Sequence, residues 1–195
     1  RLICSLPRGE AVVGRSFSSY ERELRTLLEG NPSAVRSYAR TLPPTERSEF
    51  ERVIDEPFLV VRGAGSLGFD LVAMRWSLSF PIEVKASSES VIHFTAASGR
   101  ANAQLAAHRK AIAKVGLSVL YAYRRIGLRS AETWRIYRGS DATSSGVLGL
   151  ICRGLPPVGT TREGNGALRW EDGQDLSKFL ARARTLLGPT RGTGS

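Results

Sequence analysis

Phe58-Leu59-Val60-Val61-Arg62-Gly63-Ala64-Gly65-Ser66-Leu67-Gly68-Phe69-Asp70-Leu71-Val72-Ala73-Met74, and after a short gap Phe80-Pro81-Ile82-Glu83-Val84-Lys85, decide how this chain folds. The apolar run 58–61 has the length and branched content of a buried strand, and the glycine-rich turn 62–68 ends it. Residues 70–74 read as a second strand. Residues 80–85 read as a third, near enough to the second to pair with it as an antiparallel hairpin. The turn satisfies G-x-G-x-x-G at 63–68, which invites a dinucleotide reading. That motif has to open a helix, however, and Phe69 to Ala73 continues as a strand; no G-K-[ST] is present for a P-loop either.

Upstream, Tyr20, Leu24, Leu27 and Leu28 fall on one face of a helix, with Ser18 and Glu21 spaced as a capping box and Gly30-Asn31-Pro32 as its stop. Pro43-Pro44 breaks the block that follows, and Thr45 to Ile54 reads as a short charged helix. Downstream, Arg100 to Val115 is helical, with Leu105, His108, Ile112 and Val115 near one face and Gly116 as its C-terminal punctuation. Leu117–Tyr123 and Glu132–Tyr137 read as a fourth and fifth strand, Val147–Cys152 as a further short strand, and Asp172–Leu187 as a closing helix. Residues 188–195 read as loose. Helix, three strands, helix and more strands describe an α/β domain built on a mixed central sheet. The expected organisation is one domain over 1–195, with 31–57 as an insertion and 139–195 as a C-terminal extension of strands, turns and a helix.

Composition bounds the function classes. The 195 residues are 42% apolar, enough for a real core and too many for a disordered chain. No run of 18 apolar residues exists to cross a membrane, and no secretory leader is recognisable, which makes a cytoplasmic location the expectation. Cys4 and Cys152 have neither a metal-ligand spacing nor a second pair. Net charge is +10, and between Ser90 and Ala131 there is no acidic residue, whereas Arg100, Arg109, Lys110, Lys114, Arg124, Arg125 and Arg129 all fall there. A one-sign block inside a foldable segment points to a polyanion, most simply nucleic acid; the alternative is a solvated face without a ligand.

The chemistry-bearing residues lie on the hairpin. Glu83 and Lys85 alternate on a strand, so their side chains leave the same face. Asp70 begins the neighbouring strand, directly after the turn. Two carboxylates brought together repel unless a cation lies between them, and magnesium suits such oxygen ligands. With Lys85 in reach of a water or a phosphate oxygen, this is equipment for metal-assisted phosphodiester hydrolysis. An E-x-K tripeptide arises by chance about 0.3 times in a chain of this composition, so a surface ion pair on an edge strand stands as the alternative.

Tyr20-Glu21-Arg22-Glu23-Leu24, Val60-Val61-Arg62-Gly63-Ala64-Gly65-Ser66, Asp70-Leu71-Val72-Ala73 and Ile82-Glu83-Val84-Lys85, in that order, resemble the archaeal Holliday junction resolvases of the PD-(D/E)xK nuclease superfamily. The resemblance covers roughly residues 18–30 and 57–138. It implies a restriction-endonuclease-like mixed sheet flanked by helices, and a magnesium-dependent homodimer, manganese substituting, that nicks a four-way DNA junction in pairs. Mapped by motif, it implies Asp70 and Glu83 as metal ligands, with the Val84 carbonyl assisting, and Lys85 as the residue that orients or deprotonates the attacking water. It further implies Glu21 as a helix-borne acid near the metal, Ser66 close to the scissile phosphate, and Arg22 and Arg62 on the DNA backbone or in support of the site. Arg100, Arg109, Lys110 and Lys114 are the phosphate contacts expected from the basic block.

Three departures stand out: Phe69 where the superfamily has proline, the long 31–57 block, and a serine-rich run after Lys85. Competing readings are a restriction or repair nuclease of the same superfamily and a DNA-binding derivative that no longer cuts. Glu23 reads as a solvated helix charge, His93 as a loop residue, His108 as a helix-face residue, and Trp134 and Trp170 as core or interface. The apolar face of the 172–187 helix or a surface near Trp134 is the expected dimer contact.

Overall fold

The computed structural model describes residues 17–63, 68–95, 100–116, 118–128, 132–139 and 145–187. Three helices come first: α1 (Phe17–Leu28), α2 (Pro32–Ala39) and α3 (Pro44–Glu51), the last extended by a 3-10 turn at Arg52–Ile54. Strands β1 (Leu59–Arg62), β2 (Leu71–Arg75), β3 (Leu78–Ser87) and β4 (Val91–Phe94) follow, then α4 (Arg100–Val115), β5 (Leu120–Arg125) and β6 (Trp134–Arg138). The chain finishes with α5 (Gly146–Arg153), β7 (Gly159–Thr160), β8 (Gly166–Arg169), β9 (Gln174–Asp175) and α6 (Leu176–Leu187).

The expected α/β architecture is present: a six-stranded mixed sheet in the order β1-β2-β3-β5-β6-β9, flanked by helices. The hairpin pairs Leu71 with Ile82, and β3 runs parallel to β5, with Glu83 opposite Tyr121 and Lys85 opposite Tyr123. Alternation divides the two faces. Leu71, Ala73, Ile82, Val84, Leu120 and Ala122 point into a core shared with α1 and α6, where Leu24, Leu27, Phe179 and Ala183 are buried. Tyr121, Tyr123 and Tyr137 point the other way, into a second core with Leu105 of α4, Phe94 and Leu168. A separate three-stranded sheet, β4-β8-β7, supplies part of that second core.

Several local expectations are corrected. Residues 31–57 carry two helices rather than one. Asn31 is not only a stop for α1: its side chain accepts the Ala34 N–H at 3.1 Å and so caps α2, with Pro32 in the first turn. Val147–Cys152 is helical; a short apolar run fits a buried strand or a helix equally, and packing against α6 decides it here. The closing helix begins at Leu176, because Trp170–Asp172 forms a 3-10 turn and Gln174–Asp175 adds a strand to the sheet edge. Ser18 lies inside α1, not before it, and the Glu21 carboxylate pairs with Arg62. Neither expected dimer surface is exposed. Trp134 is fully buried, the apolar face of α6 fills the first core, and Leu168 and Trp170 join the second.

Candidate active site

The turn between β1 and β2 brings the site together. Gly63 donates its N–H to the Asp70 carbonyl at 2.8 Å, and a Cβ at Gly63 would lie only 1.9 Å from the Phe69 carbonyl oxygen, so this close approach requires glycine. Asp70 in turn donates its N–H to the Ile82 carbonyl at 3.0 Å. Continuing the Leu71–Ile82 register by one residue sets Asp70 directly across from Glu83, on the same face. The Asp70 carboxylate also accepts the Val84 N–H at 2.7 Å, which fixes its orientation.

Glu83 is 2% exposed. One carboxylate oxygen accepts from the Lys85 ammonium at 2.5 Å; the other, Oε2, is buried with no hydrogen-bond partner. Burial, reinforced by the neighbouring Asp70 charge and opposed by Lys85, pushes the Glu83 carboxyl up to about 7. A buried carboxylate oxygen left bare in an otherwise well-bonded interior is uncommon, and a missing ion is one of its standard explanations. Among the described residues no three His, Cys, Asp or Glu side chains cluster as a self-sufficient metal cage. Two carboxylates completed by water and phosphate oxygens are nonetheless the usual protein share of a magnesium site, so Asp70 and Glu83 fit that ion and not a zinc-type ligand set.

Sequence reasoning missed the support from α4. Gln104 accepts from Lys85 at 3.1 Å and donates to the Gly68 carbonyl at 3.1 Å. One turn along, His108 is 2% exposed, bonds the Tyr121 hydroxyl at 2.8 Å through Nδ1, and meets the same Gly68 carbonyl through Nε2. Burial holds its pKa below the ordinary histidine value, in keeping with a neutral ring that donates from one nitrogen and accepts at the other. Gly68, at φ +77°, is thereby held by two side chains of α4. The Gln104-x-x-x-His108 spacing was the available signal: it puts both polar groups on one face of an otherwise ordinary helix.

A cavity of about 250 Å³ opens over this arrangement, lined by Glu21, Arg62, Gly63, Gly68, Phe69, Asp70 and Gln104. Glu21 therefore reaches the rim, where Arg62 pairs with it at 3.2 Å, but it does not join Asp70 and Glu83 in one acidic cluster. Arg22 is exposed on α1. Of the basic block, Arg109, Lys110 and Lys114 are exposed along α4, whereas Arg124 is half-buried in an ion pair with Glu23 at 2.9 Å. Glu23 also accepts the Trp134 indole N–H at 3.1 Å, so it is a half-buried tether and not a solvated charge. Ser66 and the Arg100 side chain lie outside the described residues.

No family model matches the chain, and no curated protein matches its sequence. Among solved structures it is similar to Hjc, a Holliday junction resolvase from the archaeal hyperthermophile Archaeoglobus fulgidus, at 17% identity and a TM-score of 0.43, covering 69% of this chain and 91% of that one. The functional case rests on the side chains themselves. No described helix is long and apolar enough to cross a membrane.

Proposed function

We propose that the protein is a magnesium-dependent endonuclease that acts on branched DNA, with the four-way junction as its substrate. The observation that carries this reading is Glu83 Oε2, buried and without a hydrogen-bond partner, next to Lys85 and across the hairpin from Asp70, which lines a polar cavity. Asp70 and Glu83 would hold the ion, with the Val84 carbonyl as a further oxygen. Bound there, magnesium, or manganese in its place, would supply Lewis-acid stabilisation of charge developing on the phosphate oxygens. Hydrolysis adds water across the P–O bond, leaving a phosphate monoester on one side and a hydroxyl on the other. Lys85, held between Glu83 and Gln104, would orient the attacking water and balance the charge that builds on the phosphate.

The four sequence blocks that resemble the archaeal junction resolvases support the branched substrate, and the exposed Arg109, Lys110 and Lys114 supply phosphate contacts without base readout. Paired cuts require two equivalent sites, so the active form is a homodimer. The test is cleavage of an immobile four-way junction beside a linear duplex of the same sequence, in magnesium and in EDTA. Paired nicks on the junction alone, absent with EDTA, are expected. Equal cutting of the duplex would remove the junction claim, and binding without any cutting would remove the nuclease.

A further inference from the structure

The Glu21–Arg62 ion pair, at 3.2 Å, bridges α1 and the last residue of β1 across 41 positions of sequence. Within α1 the cation at helical spacing from Glu21 is Arg25, but Glu29 holds Arg25 at 2.8 Å, which leaves the Glu21 carboxylate to β1. Alternation sets Arg62 on the same face as Val60, and the register places it opposite Leu71; both of those residues are buried in the first core with α1. Asp70 and Glu83 leave the opposite face, where Gln104 of α4 meets Lys85. Glu21 thus comes to the shared cavity from the α1 side of the sheet, and Asp70 from the α4 side.

The two partners differ in exposure. The Glu21 side chain is 18% exposed and that of Arg62 65%, and the Arg62 guanidinium makes no second hydrogen bond to a described residue. Further N–H donors of its fork are therefore unspent at the rim of the Asp70 cavity. An ion pair this exposed adds little to stability; what it fixes is the direction of the guanidinium. A planar fork tethered at one nitrogen by a carboxylate and open at the others suits a phosphate oxygen. We infer that Glu21 is a positioning residue: it acts through Arg62, aiming the guanidinium at a phosphate of the strand over Asp70, rather than through the metal ion as the family resemblance implies. The inference rests on the reading of that cavity as facing DNA.

The two roles give opposite signs for DNA binding without metal. A carboxylate beside a phosphate repels it, so Glu21→Ala should tighten binding unless Glu21 acts through Arg62. The experiment is fluorescence anisotropy of the intact protein in EDTA on a labelled four-way junction, followed by the magnesium concentration that half-saturates cleavage. Arg62→Ala is expected to raise Kd about tenfold, the size of one charged hydrogen bond, and Glu21→Ala about threefold. In the Arg62→Ala background, Glu21→Ala should no longer raise Kd, since nothing remains to be aimed. Melting temperatures should match the wild type, because alanine suits a helix and the pair is exposed. The half-saturating magnesium concentration should be the same in Glu21→Ala as in the wild type. A Kd that holds or falls in Glu21→Ala alone, or a severalfold rise in its magnesium requirement, overturns the inference. A wild type that binds no DNA in EDTA overturns it together with the DNA-facing cavity. Binding without cleavage removes only the nuclease, and the Kd comparison still decides the role of Glu21.

Discussion

Glu83, on interior strand β3, and Glu132, just before β6, are both buried, and burial pushes each carboxyl up to about 7, yet the fold uses them in opposite ways. Glu132 receives the Ser177 N–H at 2.7 Å on one oxygen and the Ser177 hydroxyl at 2.6 Å on the other, and so caps the first turn of α6 from a distant loop. Glu83 has Lys85 on one oxygen and nothing on the other. The shared shift therefore identifies neither as functional. The difference lies in the unfilled valence: a carboxylate whose partners are complete is structural, and one that lacks a partner is equipped to take a ligand.

The largest effect that would break this comparison is on cleavage. Glu83→Gln should lower the junction-cleavage rate by about 10³-fold or more, since each tenfold corresponds to about 1.4 kcal/mol of lost transition-state stabilisation and the substitution removes an ion ligand. Its melting temperature should hold or rise, because an incompletely compensated buried charge is gone. A folded Glu83→Gln that cuts normally would show the bare oxygen to be incidental.

Glu132→Ala should do the reverse. It strands the Ser177 N–H, leaves the Ser177 hydroxyl only its longer bond to Glu46 at 3.4 Å, and uncaps α6, a loss of about 2 kcal/mol measured by urea unfolding at pH 6, with rate per folded molecule unchanged. An unchanged unfolding midpoint would refute the capping role.

A third measurement sharpens the same contrast through pH. Glu132 ionises near 4.5 when unfolded and near 7 when folded, so between those values the native state binds more protons and stability falls as pH rises. The other groups acting on it are Asp175, which raises its pKa further, and Arg135, which lowers it. Wild-type stability should decline by roughly 2 kcal/mol from pH 5 to pH 8 relative to Glu132→Gln, which keeps an acceptor for Ser177 and cannot ionise. Parallel pH profiles for the two proteins would count against a buried, titrating Glu132.

The smallest expected effect concerns the support from α4. Gln104→Leu should lower turnover about tenfold with DNA affinity intact, because it releases Lys85 and the Gly68 carbonyl without touching the phosphate. If affinity falls and turnover does not, Gln104 contacts DNA instead of positioning Lys85.

How much of this was legible in the chain follows from the range of each interaction. The 70–85 hairpin could be read because period-two alternation is local and puts Glu83 and Lys85 on one face whatever surrounds them. Helix α4 could be read over Arg100–Val115 for the same reason, with Gly116 at φ +70° ending it as expected. Val147–Cys152 could not, because so short a run, five apolar residues and Gly149, satisfies two periods equally and only the contact with α6 selects the helix. Glu23 was misread because its partners, Arg124 and Trp134, lie about a hundred residues away.

The sequence by itself determined the α/β architecture, the catalytic-looking trio Asp70, Glu83 and Lys85, and the basic surplus, since these depend on residue type and short spacing. Only the tertiary structure decided that Glu132 is satisfied and Glu83 is not, that Glu21 faces Arg62, and that Glu23 meets Arg124 and Trp134. The physical reason is that satisfaction of a buried polar group is a property of everything packed around it, and those neighbours come from strands and helices far apart along the chain.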